Sequence, residues 1–110
     1  MYPATNNFKS QAQGLLNALI EQLENAHPLL DMEDDPESLT LPIDEKVMLL
    51  TLNNPLQQLW YASPLSGAHH YIYAKGHWRS TRNPDEDLLE CLSSEISLLL
   101  QSPVGLKYYD

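Results

Sequence analysis

A change of period divides this chain. Between residues 38 and 80 apolar side chains alternate with other residues in short runs separated by turn residues, and on either side they recur at helical spacing. A period of two sends successive side chains to opposite faces of a sheet, whereas a period of 3.6 gathers them on one side of a helix. The runs are too closely spaced for crossover helices, so the strands must pair antiparallel through tight turns. The resulting order is helix, five or six antiparallel strands, helix. It predicts an α+β two-layer sandwich with both helices on one face of the sheet. A chain of 110 residues makes one such domain, residues 1–110.

The first helix is expected over residues 6–26, capped by Asn6 or Asn7, with Phe8, Ala12, Leu15, Leu16, Leu19, Ile20, Leu23 and Ala26 on one arc. His27-Pro28 stops it. Residues 29–33 read as a short edge strand with Leu30 and Met32 inward, and residues 34–37 as a turn. Residues 38–43 form the next strand, with Leu39, Leu41 and Ile43 on one face and Pro42 where its missing N–H does no harm. Residues 46–52 form a strongly apolar strand, so both of its faces are largely covered or apolar. Residues 70–73 and 78–80 complete the sheet around a Lys75-Gly76 turn. Asn83-Pro84-Asp85-Glu86 has the chemistry of a helix start, with Asn83 as cap. The second helix then carries Leu88, Leu89, Leu92, Ile96, Leu99 and Leu100 on its stripe. Leu106 and the tyrosines of the tail are candidates to pack back between the helices.

At the centre lies Pro55-Leu56-Gln57-Gln58-Leu59-Trp60-Tyr61-Ala62-Ser63-Pro64-Leu65-Ser66-Gly67. Alternation over Gln58–Ala62 puts Leu59 and Tyr61 inside and Gln58 and Trp60 outside. An outward Trp is either an interface anchor or a ring covered by a neighbouring loop. Thr51, Asn53, Gln58, Trp60, His70 and Ile72 are the candidates for that outer face.

Charge is distributed unevenly. The net charge is −9, and residues 21–45 hold nine acids without one base, whereas residues 53–82 hold no acid but carry Lys75, Arg79, Arg82 and three histidines. Acids two apart on a strand, such as Asp31 and Glu33, lie roughly 6.7 Å from each other. Each such pair repels by about 0.6 kcal/mol in water. A cation relieves that repulsion, and carboxylates suit Fe³⁺, Fe²⁺, Ca²⁺, Mg²⁺ or Mn²⁺. Glu21, Glu24, Asp31, Glu33, Asp34 and Asp35 are therefore candidate ligands of a weak, exposed site, and equally read as a solvated face that maintains solubility. Nucleic acid is not an expected partner of so acidic a surface.

No stretch is long and apolar enough for a membrane helix, and the first ten residues lack the pattern of a signal or transit peptide. A single cysteine, Cys91, suits a reducing compartment, so a cytoplasmic protein that does not enter membranes is expected. Cys91 sits at the margin of the second helical stripe among Asp87, Glu90 and Glu95, which disfavour a thiolate and make it a packing residue. His69 and His70 point to opposite sides of a strand and do not share one ion. His27 and His77 read as ordinary surface or helix-end residues. No nucleophilic triad, phosphate loop or metal-protease motif is present, so an independent enzyme is not expected.

The segment from Pro55 to Trp78, with P-x-x-Q-L-W-x-A-S-P-x-S-G, then His70-Tyr71 and Lys75-Gly76-His77-Trp78, resembles the frataxin family, in particular its bacterial, CyaY-type members. The resemblance implies the same α+β sandwich and an iron-binding accessory protein of iron–sulfur cluster assembly. Its acidic ridge would hold Fe²⁺ or Fe³⁺ weakly, carried here onto Glu21, Glu24, Asp31, Glu33, Asp34 and Asp35. It also implies a partner surface at Asn53, Gln58, Trp60, His70 and Trp78, facing a cysteine desulfurase and an iron–sulfur scaffold protein, on a chain that is monomeric without metal. Two departures stand out. Thr51-Leu52-Asn53 replaces a more polar triplet common in the family, and His70 stands where relatives often have a fixed charge. A different class, a small acidic chaperone for a secreted effector, fits the size and charge but leaves the S-P-x-S-G turn and the tryptophans without a role.

Overall fold

The computed structural model describes residues 4–108, with side chains from residue 7 onward. Helix α1 (Ala4–Ala26) leads into strands β1 (Glu33–Asp35), β2 (Ser38–Ile43), β3 (Lys46–Asn53), β4 (Gln58–Ser63), β5 (Gly67–Ala74) and β6 (His77–Ser80). Helix α2 (Leu88–Leu100) follows. The six strands form one antiparallel meander in chain order, β1 to β6. This is the predicted α+β sandwich.

The core lies between the helices and one sheet face. Leu39, Leu41, Ile43, Met48, Leu50, Leu52, Leu59, Tyr61, Tyr71 and Trp78 come from the sheet, and Phe8, Ala12, Leu15, Leu16, Leu19, Leu23, Leu88, Leu89, Leu92 and Ile96 from the helices. Alternation selects these strand residues, as expected for a sheet with one buried face. Strand β3 has one covered and one apolar face, as expected: Met48, Leu50 and Leu52 are buried, and Val47 and Leu49 are exposed on the other side. Trp78 departs from expectation. It is only 1% exposed and packs edge-on against Phe8 and Tyr73, so it is a core residue and not part of a partner surface. The register explains this, because Trp78 pairs with Tyr73, two residues from Tyr71 on the inward-facing set.

Three boundaries move for identifiable reasons. Helix α1 begins at Ala4, so Asn6 and Asn7 lie within it and do not cap it. The edge strand begins at Glu33, not Leu29, because the turn fixes the register. Asp35 Oδ1 accepts from the Glu37 backbone N–H at 2.8 Å and Oδ2 from the Ser38 hydroxyl at 3.0 Å, which pairs Asp35 with Ser38 and Glu33 with Thr40. Leu30 and Met32 still pack against the core, without strand pairing. Strand β1 reaches only as far as Thr40, so Pro42 lies beyond it on β2.

Helix α2 starts later than its motif suggests. Asn83 Oδ1 accepts from the Asp85 N–H and its carbonyl from the Glu86 N–H, making a turn. The Ser80 N–H then bonds the Glu86 carbonyl at 3.0 Å and Arg79 bridges Asp87, which holds residues 86–87 extended beside β6. Asp87 is the cap, its Oδ2 accepting from the Leu89 and Glu90 N–H groups at 3.0 and 3.2 Å. Its Oδ1 accepts from the Tyr108 hydroxyl at 2.8 Å and faces His77 Nδ1 at 3.0 Å. The Tyr108 oxygen in turn accepts from the Trp78 N–H. Val104 and Leu106 of the tail are buried, as the sequence suggested for Leu106. Tyr109 lies outside the described residues.

One buried carboxylate thus ties the α2 start, the β6 edge and the tail together. Asp87→Ala removes a cap and leaves buried donors unpaired, so it should cost about 2–4 kcal/mol. Urea unfolding measures this, and a loss below about 0.5 kcal/mol would refute the role given to Asp87.

Candidate functional site

The helices leave one sheet face open. Across it the register aligns Thr51, Trp60 and His70 in one row and Leu49, Ala62 and Ala68 in the next, while Ile72 lies beside Arg79. Trp60 and His70, directly opposite on β4 and β5, stack with ring centroids 4.3 Å apart and planes 8° apart. The Trp60 indole N–H donates to Gln58 Oε1 at 2.8 Å. Trp60 is therefore covered by a cross-strand ring and held at its edge, and it stays 36% exposed. It is pre-positioned, since stacking and the hydrogen bond remove rotamer freedom before any partner arrives. Leu49 and Ile72 add apolar surface, being 37% and 42% exposed. A shallow hollow forms beside Trp60, lined by Leu49, Thr51, Ala62, Ala68 and His70.

Of the five residues expected on the partner surface, the sheet brings Gln58, Trp60 and His70 together. Trp78 is in the core. Asn53 pairs with Gln58 at the rim, and its Oδ1 is engaged by the Leu56 N–H at 3.0 Å in the turn that leads to β4.

The acids lie at the other edge. Glu33, Asp34 and Asp35 form β1, and Glu21, Glu24 and Asp31 are also exposed. Six residues link α1 to β1, with Glu24 in the last turn of the helix and Asp31 within the link. Asp35 is committed to its turn. The Glu37 backbone N–H, and then the Ser38 hydroxyl, lower its carboxyl below the ordinary value. Among the described residues, no three of these six acids bring ligand atoms within 4.8 Å of one another. The arrangement is an open row of hard oxygen donors, not a closed cage.

A third group was missed from the sequence. The S-P-x-S-G turn closes onto α2 through Glu95, a buried acid on the helix stripe. Glu95 Oε1 accepts from the Tyr61 and Ser63 hydroxyls, each at 2.6 Å, and Oε2 accepts from Ser66. Ser63 Oγ also accepts the Leu65 and Ser66 N–H groups, each at 2.9 Å, which shapes the turn. Gly67 has φ +89°, a conformation that side chains resist. The signal was present, because Glu95 falls three residues after Leu92 and seven after Leu88, inside the apolar stripe. Burial alone would raise the Glu95 carboxyl, but the bonds from Ser63, Ser66 and Tyr61 outweigh it and hold it below the ordinary value of 4.5.

His69 and Tyr71 lie on the same face as Tyr61. His69 Nε2 is 2.7 Å from Ser66 Oγ, and Nδ1 is 3.2 Å from Glu86 Oε2, which also accepts from the Tyr71 hydroxyl. Burial pushes the nearby Cys91 thiol up to about 11, against a hydrogen bond from Tyr71 and with help from Glu95 and Glu86. The expectation of an unreactive thiol rests here on burial first and on charge second.

The family model of the frataxin-like domain matches residues 3–102. The chain belongs to the frataxin family. It is similar to the protein named iron–sulfur cluster assembly protein CyaY in Paraburkholderia phymatum, 29% identical over 82 residues, which is 74% of this chain and 77% of that one. The protein of the same name in Psychromonas ingrahamii is 30% identical over 84 residues, 76% of this chain and 79% of that one. The solved frataxin from Psychromonas ingrahamii matches with a TM-score of 0.84 at 26% identity, over 94% of this chain and 97% of that one. The trimeric frataxin of Saccharomyces cerevisiae in a ferrous complex matches with a TM-score of 0.68 at 28% identity, over 93% and 89%. The frataxin resemblance drawn from Pro55–Trp78 therefore extends over nearly the whole fold. No described helix is long and apolar enough to cross a membrane.

The Glu95 network yields a pH-dependent prediction. A lowered carboxyl contributes stability that is present above its ordinary value of 4.5 and lost as pH falls through the folded-state value. Glu95→Gln should cost about 1–3 kcal/mol at pH 7 and flatten the acid limb of the stability curve. Denaturant unfolding from pH 3 to 7 checks this, and an unchanged acid limb would assign that limb to other carboxylates.

Proposed function

We propose that this chain is an accessory protein of iron–sulfur cluster assembly. It docks a cysteine desulfurase–scaffold complex through the open sheet face and holds Fe²⁺ or Fe³⁺ weakly along the acidic edge. The observation that carries the docking surface is Trp60, stacked on His70 and hydrogen-bonded to Gln58 at the centre of the uncovered face. Buried at an interface, a rigid aromatic of this kind supplies a large share of affinity at little entropic cost. The name shared by the Paraburkholderia and Psychromonas relatives supports the cluster-assembly role. The ferrous complex of the yeast relative supports iron as the cargo.

The two regions do different physical work. Glu21, Glu24, Asp31, Glu33, Asp34 and Asp35 attract a basic surface and labile cations at long range, and salt screens that attraction. Because the donors are exposed and spread along an edge, iron exchanges readily. The Trp60 face then sets the docked geometry. The chain acts as a regulator or iron donor and needs no nucleophile of its own. The chaperone alternative requires a helix-mediated dimer, and both helix stripes here are spent on the sheet.

Trp60→Ala should weaken binding to the desulfurase complex of the same organism by about 2 kcal/mol, roughly thirtyfold in Kd, with little change in thermal stability. Unchanged affinity would remove the sheet face from the interface. Titration with Fe²⁺ should broaden amide signals of residues 21–35 selectively in NMR spectra. Uniform broadening, or none, would remove the acidic edge from iron binding.

A further inference from the structure

The geometry points to a divalent-metal site of the zinc type at His69, Glu86 and Cys91, separate from the acidic edge. These residues come from β5, the turn before α2, and α2 itself, and a ring nitrogen, a carboxylate oxygen and the sulfur lie within 4.8 Å of one another. A tetrahedral zinc with N, O and S ligands needs its donors roughly 3.3–3.8 Å apart, so small side-chain adjustments complete the set. Mixed nitrogen, sulfur and oxygen donors favour Zn²⁺ or Co²⁺ over the hard cations that suit an all-carboxylate edge. Three protein ligands leave a fourth position for water, and all three residues are partly solvent-accessible.

The hydrogen bonds around the triad provide a second, independent argument. Ser66 donates its hydroxyl proton to Glu95, so it can only accept from His69 Nε2, 2.7 Å away. That bond places a proton on Nε2 and turns Nδ1 toward Glu86 Oε2 at 3.2 Å. Oε2 is itself an acceptor, already bonded by the Tyr71 hydroxyl. Nδ1 and a carboxylate oxygen at this distance share a positive charge, a proton or a metal ion, and the Cys91 sulfur beside the pair supplies a third donor suited to the metal. The chain His69–Ser66–Glu95 has the form of the support that metal-ligating histidines use, with the far ring N–H held by an acceptor that is itself anchored. On binding, Cys91 enters as thiolate and its proton leaves to solvent. The site lies on the helix-covered side of the sheet, so it locks α2 to β5 and leaves the Trp60 face free.

The test uses the intact chain and Zn²⁺ alone. Equilibrium dialysis should find one tightly bound Zn²⁺ per chain, weakened at least tenfold by Cys91→Ser and unchanged by Glu33→Gln with Asp34→Asn. Co²⁺ substitution should give the intense near-ultraviolet thiolate-to-metal band in the unmutated chain, and Zn²⁺ should slow alkylation of Cys91 at least tenfold. These two readouts need no variant. Absence of the Co²⁺ band together with unprotected Cys91 would overturn the site. Zn²⁺ binding that is lost on neutralising Glu33 and Asp34 but indifferent to Cys91→Ser would overturn it in favour of the acidic edge. Neither result bears on Trp60 or on desulfurase binding.

Discussion

The meander presents a row of ten apolar side chains on one face, and α1 and α2, with Val104 and Leu106 of the tail, remove them from water. At about 25 cal/mol per Å² of apolar surface, that burial is the dominant favourable term in the fold. It also dictates what remains. Once both helices lie on one side, the other face of the sheet stays open, and every residue of opposite parity in β3, β4 and β5 becomes surface. Exposure of Trp60, Leu49 and Ile72 follows directly from burial of Leu59, Tyr61, Leu50 and Tyr71.

Covering the sheet demands that α2 be held at a defined position, and two buried acids do this. Asp87 caps the first turn and gathers Tyr108 and His77. Glu95, two turns later, receives three hydroxyls from β4 and from the turn that follows it. Each carboxylate would be costly in a core unless fully hydrogen-bonded, and no described buried side-chain polar atom lacks a partner. The S-P-x-S-G segment is thereby assigned a physical task. Its serines satisfy Glu95, and its glycine adopts the left-handed conformation that brings them there.

Function divides along the same lines. The face that the helices cannot reach carries a stacked, pre-positioned aromatic suited to docking. The edge beyond the core carries the acids, where full hydration keeps like charges tolerable. The interior margin between β5 and α2 brings a histidine of β5 to a glutamate and a cysteine around the start of α2. The proposed docking face, cation-binding edge and metal site thus fall on three different parts of one small fold.

Period and turn chemistry determined the element order, the one-sided sheet and the outward position of Trp60, because side-chain parity is a local property of a strand. The acidic and basic halves were equally legible. The pairing of Trp60 with His70 depended on the β4–β5 register, which the turn at Ser63–Gly67 sets. Burial of Trp78 was decided by its register against Tyr73 and by Phe8 arriving from α1, seventy residues earlier in the chain. The β1 start follows from a local turn, Asp35 bonding Glu37 and Ser38, whereas the α2 cap at Asp87 is fixed by Tyr108, a partner that a local motif cannot reveal. Glu95 was visible as an acid on an apolar stripe, yet its meaning required the three hydroxyls that only the folded chain brings to it. Sequence alone thus determined which face each strand residue occupies, because that follows from the geometry of the backbone. Tertiary structure decided which polar groups meet, because those encounters join segments whose separation along the chain carries no information about distance.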